Sequence, residues 1–272
     1  MKISLVLSTY KSPRFLECVL ESLLRQTRAP FEVLVAEDGE FTPNRQVIEK
    51  YRSQIPFRLQ HITQADIGNR KPLILNKAIL KSEGDYLLFV DGDCVLRKDF
   101  IAAHFELACE KSFLTGRRVE LSETATNLVT PELVSNGYLD GWPLRLMWDS
   151  VVGQTDSLGR FFKTPRALRE IFRQNKVHDI RGCNFSVHKR NLVAINGFGN
   201  DFSGAYGEDS DVEIRLKLLG LEMKSVKGAA IQFHLWHKVQ EKDLSNQARL
   251  SALALSQNAR TPNGLSEAHL IK

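Results

Sequence analysis

A mostly parallel α/β sheet with helices on both faces is predicted by three observations. Short apolar runs rich in branched and aromatic residues alternate with runs of helical period. Two of the apolar runs end on acidic tips, Glu37-Asp38-Gly39 and Asp91-Gly92-Asp93. Each run is short and continuously apolar, as a strand covered on both faces must be.

Ile3 to Ser8 reads as the first strand, and Ser12-Pro13 as an N-cap followed by proline at the first helical position. Phe15, Leu16, Val19, Leu20, Leu23 and Leu24 then recur at helical spacing. Phe31 to Ala36 is a second strand, Val47 to Arg52 a helix, and Phe57 to Ile62 a third strand. Gly68 breaks the chain before a helix over about Pro72 to Leu80, and Tyr86 to Val90 is a buried fourth strand. Phe100 to Lys111 reads as a further helix, after which the regularity weakens from Gly116 to Trp148. Strands alternating with helices call for right-handed βαβ crossovers.

The chemistry is placed at the fourth strand's end. In an open α/β sheet ligands bind beyond the carboxyl ends of the strands, so Asp91 and Asp93 face a crevice. Two hard oxygen ligands one residue apart suit Mg²⁺ or Mn²⁺, which carboxylates and substrate phosphates hold together. The same tripeptide is also ordinary turn chemistry. A second acidic tip at Asp38 converges on the same crevice, where Thr9 and Tyr10 line the edge. Tyr10 offers a ring to a nucleobase or simply packs at the rim.

The later half carries a second set of candidates. Residues 181 to 220 run through a short helix and a loop spaced by Gly197, Gly199, Gly204 and Gly207 to Glu208, Asp209 and Asp211 at the start of an amphipathic helix. Acids favour a helix N-terminus on electrostatic grounds alone. The glycine-spaced approach adds a means of bringing them against a substrate. An apolar strand ends at His234, with His237 close behind; His234 is the stronger candidate metal ligand and His237 the weaker.

Composition sets the class. The chain of 272 residues is 43% hydrophobic and 25% charged, as an ordinary globular protein is. Its four cysteines form no CxxC pair and are expected as free thiols of a cytoplasmic protein, and no secretory signal or membrane span is expected. The net charge of +5 fits anionic ligands or an anionic membrane surface; no nucleic-acid partner is expected. From Arg160 to Lys176 six basic residues face the single acid Glu170. If Pro165 starts a helix, Arg166, Arg169, Arg173 and Lys176 form one stripe, suited to a membrane surface, and Leu168, Ile171 and Phe172 lie on another side. The alternative is a solvated helix docked by that apolar side. Residues 238–257 read as helical and the end of the chain as turn or tail.

The order of strand, acidic tip, DGD, GEDSD and late histidine resembles the GT-A glycosyltransferases, in particular the large inverting family of bacterial polysaccharide and lipopolysaccharide transferases. GNRKPLILNKA and INGFGNDFSGAYGEDSD also resemble β-1,4-galactosyltransferases and chondroitin-polymerising enzymes. The resemblance spans residues 3 to 237 and implies a GT-A fold with a nucleotide-sugar-binding half (1–115), an acceptor-binding, catalytic half (116–240) and a C-terminal helix and tail (241–272). It implies that Thr9, Tyr10, Glu37 and Asp38 hold the uridine of a UDP-sugar. Arg70 would contact nucleotide or phosphates, Asp91 the ribose or metal, Asp93 the metal, and His234 would complete the metal site. Asp209 matches the general base and Glu208 the residue that positions the acceptor, a glycan or lipid-linked glycan. Trp142 or Trp148 offers a face to a sugar, and residues 153–165 could close over the donor. Two positions depart from the family's pattern: Glu37 stands where an aspartate is common, and Leu75 where many members place arginine.

Two other readings fit parts of the pattern. DGDCV also matches the DxDx(V/T) phosphatases, which would carry it on the first strand rather than the fourth. A metal-dependent carbohydrate-binding module explains DGD and the histidines but leaves Asp209 without a purpose.

Overall fold

The computed structural model describes all residues except 142, 153–159, 177–178, 203, 205, 239–244, 269 and 271–272. Four strands, β1 (Ile3–Thr9), β2 (Glu32–Glu37), β3 (Arg58–Thr63) and β4 (Tyr86–Asp91), are mutually parallel in the order β3-β2-β1-β4. Helices α1 (Pro13–Leu24), α2 (Thr42–Arg52) and α3 (Lys71–Lys81) make the crossovers. The strand order reverses between β1 and β4, which opens a crevice at their carboxyl ends. Register makes those ends flush: Thr9 pairs with Glu37 and Ser8 with Asp91.

Every residue of β1 and β2 is buried, and side chains alternate between two cores. Leu5, Leu7, Val33, Val35, Leu88 and Val90 pack with Leu16, Val19 and Leu20 of α1. Val6, Leu34, Leu87 and Phe89 face the other way, against Ile74, Ala78 and Ile79 of α3. Ser12 precedes α1 and Pro13 opens it, yet the Ser12 side chain makes no cap bond and sits 3.3 Å from the Thr9 hydroxyl instead.

After β4 come β5 (Cys94–Leu96), α4 (Phe100–Leu107), β6 (Ser112–Thr115), β7 (Val119–Glu120), and three short helices, α5 (Glu123–Leu128), α6 (Pro131–Ser135) and α7 (Leu144–Val151). They are followed by β8 (Phe185–His188), α8 (Lys189–Ala194), α9 (Glu208–Leu218), β9 (Glu222–Ser225), β10 (Gln232–His234) and α10 (Ser245–Ser256). β8 joins β4 antiparallel and carries β6 and β9, completing seven strands. β5, β10 and β7 form a second sheet of three strands. Of that sheet only the strand ending at His234 is read from the sequence; the other two strands are two or three residues long.

Two expectations are corrected and a third is sharpened. The basic segment forms only a 3-10 turn at Arg166–Leu168, and Arg169 turns inward, 6% exposed, to donate to the Ser225 carbonyl at 2.6 Å. Helix α9 is not simply amphipathic: its buried face includes Asp211 and Arg215 beside Val212 and Leu216. Arg215 bonds the Asp211 carboxylate and the carbonyls of Ile195 and Gly197, so the pair satisfies itself inside the core. The turns expected after Thr261 are present and pack on the protein, with Leu265 and Ala268 buried and Leu265 N–H bonding the Asn196 carbonyl at 2.7 Å.

Candidate active site

At the crevice, Asp91 ends β4 with its carboxylate held from two sides. Ser8 Oγ donates to Oδ1 at 2.6 Å and Lys71 Nζ at 2.8 Å. Lys71, the first residue of α3, has no counterpart among the sequence candidates. Burial works against its charge, but Asp91, Asp209 and Glu208 outweigh burial and hold its pKa raised. It is therefore the cation that balances a group of acids. The sequence assigned Asp91 to ribose or metal; the structure gives it a lysine and leaves it outside the candidate metal group.

That group is Asp93, His234 and His237, whose ligand atoms lie within 4.8 Å of one another. β10 runs antiparallel to β5 and pairs His234 with Cys94, which brings the late histidines back to DGD. His237 Nε2 stands 3.1 Å from Asp93 Oδ2 and His234 Nε2 3.5 Å from it, so the residue ranked second in the sequence is the nearer one. His234 Nδ1 is fixed by Glu120 Oε2 at 2.8 Å. Its Nε2 is buried and without a hydrogen-bond partner. Such a histidine, oriented through one nitrogen by a carboxylate and left with the other free toward Asp93, has the donor arrangement of a metal ligand. One carboxylate and two imidazoles suit Mn²⁺ or another divalent ion of similar preference.

The electrostatics agree. Burial would raise the Asp93 carboxyl, but the imidazoles of His234 and His237 beside it hold it well below its ordinary range. Burial lowers His234 while Asp93 and Glu120 raise it, for a net value of about 9. Glu120, pushed up by burial, is drawn down to about 2 by His234 and Arg118. Glu120 is a further residue the sequence did not flag; it lies on β7, whose pairing with β10 brings Glu120 opposite His234.

Glu208 and Asp209 open α9, as the sequence reading expected, behind Gly207 at φ 107°. Asp209 Oδ2 accepts from the backbone N–H of Gly182 at 2.8 Å. A Cβ at Gly182 would stand 2.4 Å from Asp209 Oδ1, so only glycine permits this approach. Burial and then the Glu208 charge raise the Asp209 carboxyl to about 7, against the pull of Lys71 and the Gly182 N–H. A carboxylate balanced near neutrality can accept a proton at working pH. Asp211, third of the acids, is committed to Arg215.

The glycines before α9 serve close packing. Gly197 lies with its φ at 70° against Asn76, where a Cβ would stand 2.3 Å from Oδ1. The fully buried Asn76 takes the Phe198 N–H at 2.9 Å and donates to the Phe198 carbonyl at 2.8 Å, tying α3 to this loop.

On the nucleotide side, Asp38 is 6% exposed, and its carboxylate accepts from Gln64 Nε2 and from the Arg70 backbone N–H, each at 2.6 Å. Asp38 thus anchors the chain at Arg70, whose guanidinium donates to the Ala65 carbonyl at 2.6 Å. Thr9 is buried against Gly92, where a Cβ would meet its hydroxyl at 2.8 Å. Tyr10 is 46% exposed at the lip, its hydroxyl 3.3 Å from Asp66. Glu37 is 1% exposed, and Asn44 and His61 hold its two oxygens at 2.6 and 2.7 Å, which braces α2 against β3 at the tip of β2. Trp148 is exposed on α7, whereas Trp142 and most of the segment expected to close over the donor lie outside the described residues.

Comparison with known proteins decides the family. The model of glycosyl transferase family 2 matches residues 4–192, most of the chain. The chain belongs to glycosyl transferase family 2. A second model, the N-terminal domain of galactosyltransferase, matches residues 164–238 of this family 2 chain. Poly(ribitol-phosphate) beta-N-acetylglucosaminyltransferase TarS of Staphylococcus aureus is 33% identical over 101 residues, 36% of this chain and 17% of that one. Validoxylamine A glucosyltransferase of Streptomyces hygroscopicus is 24% identical, covering 93% of this chain and 55% of its own. Chondroitin synthase of Escherichia coli is 23% identical, covering 84% and 34% respectively. The chain thus spans between 17% and 55% of the length of these relatives. Among solved structures, S. aureus TarS 1–349 in complex with UDP-GlcNAc superposes with a TM-score of 0.59 at 15% identity, covering 98% of this chain and 69% of that one. Mannosyltransferase PcManGT of Pyrobaculum calidifontis, in complex with GDP-Man and Mn²⁺, gives 0.59 at 14%, covering 94% and 62%. The fold is GT-A, as the sequence pattern implied. The matched family is one of glycosyl transferases, neither of phosphatases nor of binding modules.

Proposed function

We propose that this family 2 protein is an inverting, divalent-metal-dependent glycosyltransferase that moves a sugar from a UDP-sugar to a hydroxyl of a glycan or lipid-linked glycan, in the assembly of a surface polysaccharide. The observation that carries the reading is the pairing, in one GT-A domain, of a carboxylate raised to about 7 at Asp209 with a metal-compatible group at Asp93, His234 and His237. Residues 1–115 bear the nucleotide side and residues 116–240 complete the catalytic side.

Asp209 takes the proton of the acceptor hydroxyl as that oxygen attacks the anomeric carbon, and a single base suffices when attack comes opposite the leaving group. Glu208 keeps Asp209 basic enough for that proton and orients the acceptor. Asp93, His234 and His237 would hold the metal, which as a Lewis acid stabilises the negative charge developing on the departing nucleoside diphosphate. Lys71 holds Asp91 in place beside the leaving group and limits mutual repulsion of the acids. Thr9, Tyr10, Asp38 and Arg70 shape the nucleotide pocket, with Tyr10 exposed at the lip, where its ring stacks on the base.

The test is a thermal-shift screen of UDP, GDP, CMP and dTDP with and without Mn²⁺, because a ligand of the folded state raises its apparent stability. A shift given by UDP only with Mn²⁺ supports the reading; a stronger Mn²⁺-dependent shift with another nucleotide replaces the donor, and no shift at all refutes it.

The same segment that departs from its expected helix favours contact with an anionic membrane. Residues 160–176 carry a charge excess equal to the +5 of the whole chain. Ile171 and Phe172 are 72% and 61% exposed rather than docked on the protein, beside exposed Arg173 and Lys176. Apolar side chains among cations bind anionic lipid surfaces. Phe172→Ser is expected to release the protein from phosphatidylglycerol vesicles in co-sedimentation, and equal sedimentation of the two forms would remove this contact.

A further inference from the structure

A group of cations lies beside the catalytic residues and is used by none of the chemistry above. Arg117 Nη2 and Arg181 Nε share one carboxylate, Asp179, with Arg181 at 3.3 Å. Arg160 donates to the carbonyl of Arg118, one residue along, at 3.1 Å. Lys227 stands near Arg117 and Arg160, which after burial are the main influences depressing its pKa. Arg117 is in turn depressed by burial and by Arg181 and Arg160, against the pull of Asp179. Two of these cations thus share one acid, with Arg160 and Lys227 close enough to Arg117 for their charges to act on one another. The neighbouring Glu213 is already bonded to Lys217 and to the Ile180 N–H at 2.7 Å, and Glu120 to Arg118 and His234.

The platform is rigid and placed by the fold. The Thr115 hydroxyl donates to the Asp179 carbonyl at 3.1 Å, Gly116 N–H to the Asn184 carbonyl at 2.8 Å, and the fully buried Asn184 to the Arg117 carbonyl at 3.0 Å. These bonds clamp two chain segments side by side. One leads from Arg117 to Glu120, which fixes His234; the other leads from Arg181 to Gly182, which fixes Asp209. An excess of like charge held in place at that junction is unfavourable in the free protein and favourable once an anion arrives.

We propose that Arg117, Arg160, Arg181 and Lys227 form a subsite for an anionic group, a phosphodiester or a carboxylate, on the acceptor whose hydroxyl Asp209 deprotonates. This rests on the transferase reading above, because it is the acceptor that must reach Asp209 with its neighbouring units lying over Gly182 and Arg181. Guanidinium forks match either anion in geometry.

Isothermal titration of the whole chain, with UDP and Mn²⁺ present, would compare a glycerol-phosphate oligomer, trigalacturonate and neutral maltotriose. At least one anionic probe is expected to bind tenfold or more tightly than maltotriose, to weaken as salt is raised, and to lose about tenfold in the Arg181→Gln/Lys227→Gln double variant and less in Arg181→Lys, which keeps the charge and loses the fork. Equal binding of charged and neutral probes, no binding of either anionic probe at millimolar concentrations, or anion binding unmoved by the double variant overturns the proposal. If instead the double variant selectively loses stabilisation by UDP-glucuronate relative to UDP-glucose, the cations serve the donor sugar and the acceptor assignment falls. The UDP and Mn²⁺ shift of the same samples reports separately on folding and on the transferase reading, so the two can fail independently.

Discussion

Asp209→Asn removes the proposed base while keeping its shape, and its consequences for rate and stability run in opposite directions. A positioned general base contributes on the order of 10² to 10⁴ in rate, so transfer should fall by about 3 to 5 kcal/mol in barrier terms. In the unchanged protein the base must be ionised to act. With its carboxyl raised to about 7, the rate should climb about tenfold per pH unit below that value and level off above it. For stability the sign is reversed. The folded chain holds the Asp209 proton more tightly than the unfolded chain, whose carboxyl has the ordinary value of 3.8, so stability falls as pH rises between those values and the full cost is present above about 7. A shift of about three units corresponds to roughly 4 kcal/mol at most, and partial solvent access reduces this to about 1 to 2 kcal/mol. Asp209→Asn is therefore expected to melt a few degrees higher than the parent protein at pH 8, with no such gain at pH 4, and to keep its UDP response with Mn²⁺. Acceptor-dependent UDP release across pH 5.5 to 8.5, with melting curves on the same samples, is the assay. Retention of a tenth of the activity, or a rate independent of pH through 7, would refute the role of Asp209.

Three further outcomes follow from the same geometry. Asp93→Ala and His237→Ala should each abolish the Mn²⁺-dependent part of UDP binding in calorimetry; an unchanged metal requirement in either removes that residue from the ligand set. Lys71→Met takes away a charge that lowers the Asp209 carboxyl, so the midpoint of the pH–rate profile should move upward, and a downward or absent shift contradicts the link. Asp211→Asn leaves the Arg215 guanidinium buried without its counter-ion, at a cost of about 3 to 5 kcal/mol that urea unfolding would register; a loss under 1 kcal/mol would mean the pair is better solvated than its burial implies.

The strands and crossovers were legible because each obeys a local rule: β4 is a continuous apolar run, α1 has a helical period, and the acidic tips mark where two strands stop. The acids of the site could be named for the same reason. Other features depend on pairing between distant segments. Glu120 gains its meaning from the register of β7 with β10, and Glu37 is bonded by Asn44 and His61, partners that no local pattern announces. Segment 160–176 has helical spacing, yet Arg169 finds the Ser225 carbonyl and the stripe dissolves. In α9 the buried Asp211–Arg215 pair reads as surface charge in a list of residues.

The residues that make the site workable are ones to which the sequence assigned no role. Acids gathered at Asp91, Glu208 and Asp209 would repel one another without a cation, and Lys71 supplies it at the first position of α3. Position matters there as much as charge, since α3 is in turn tied through Asn76 to the loop that leads into α9. Gly182 then sets how far Asp209 can advance, because any side chain would collide with the carboxylate that its N–H holds. That N–H favours the ionised form, burial and Glu208 the protonated one, and the balance falls near neutrality. A base tuned by opposing contacts from separate elements is sensitive to each of them. Gly182→Ala should consequently reduce transfer as severely as loss of the carboxylate itself, although residue 182 brings no side chain to the reaction, and near-normal turnover in that variant would show that Asp209 works from another position.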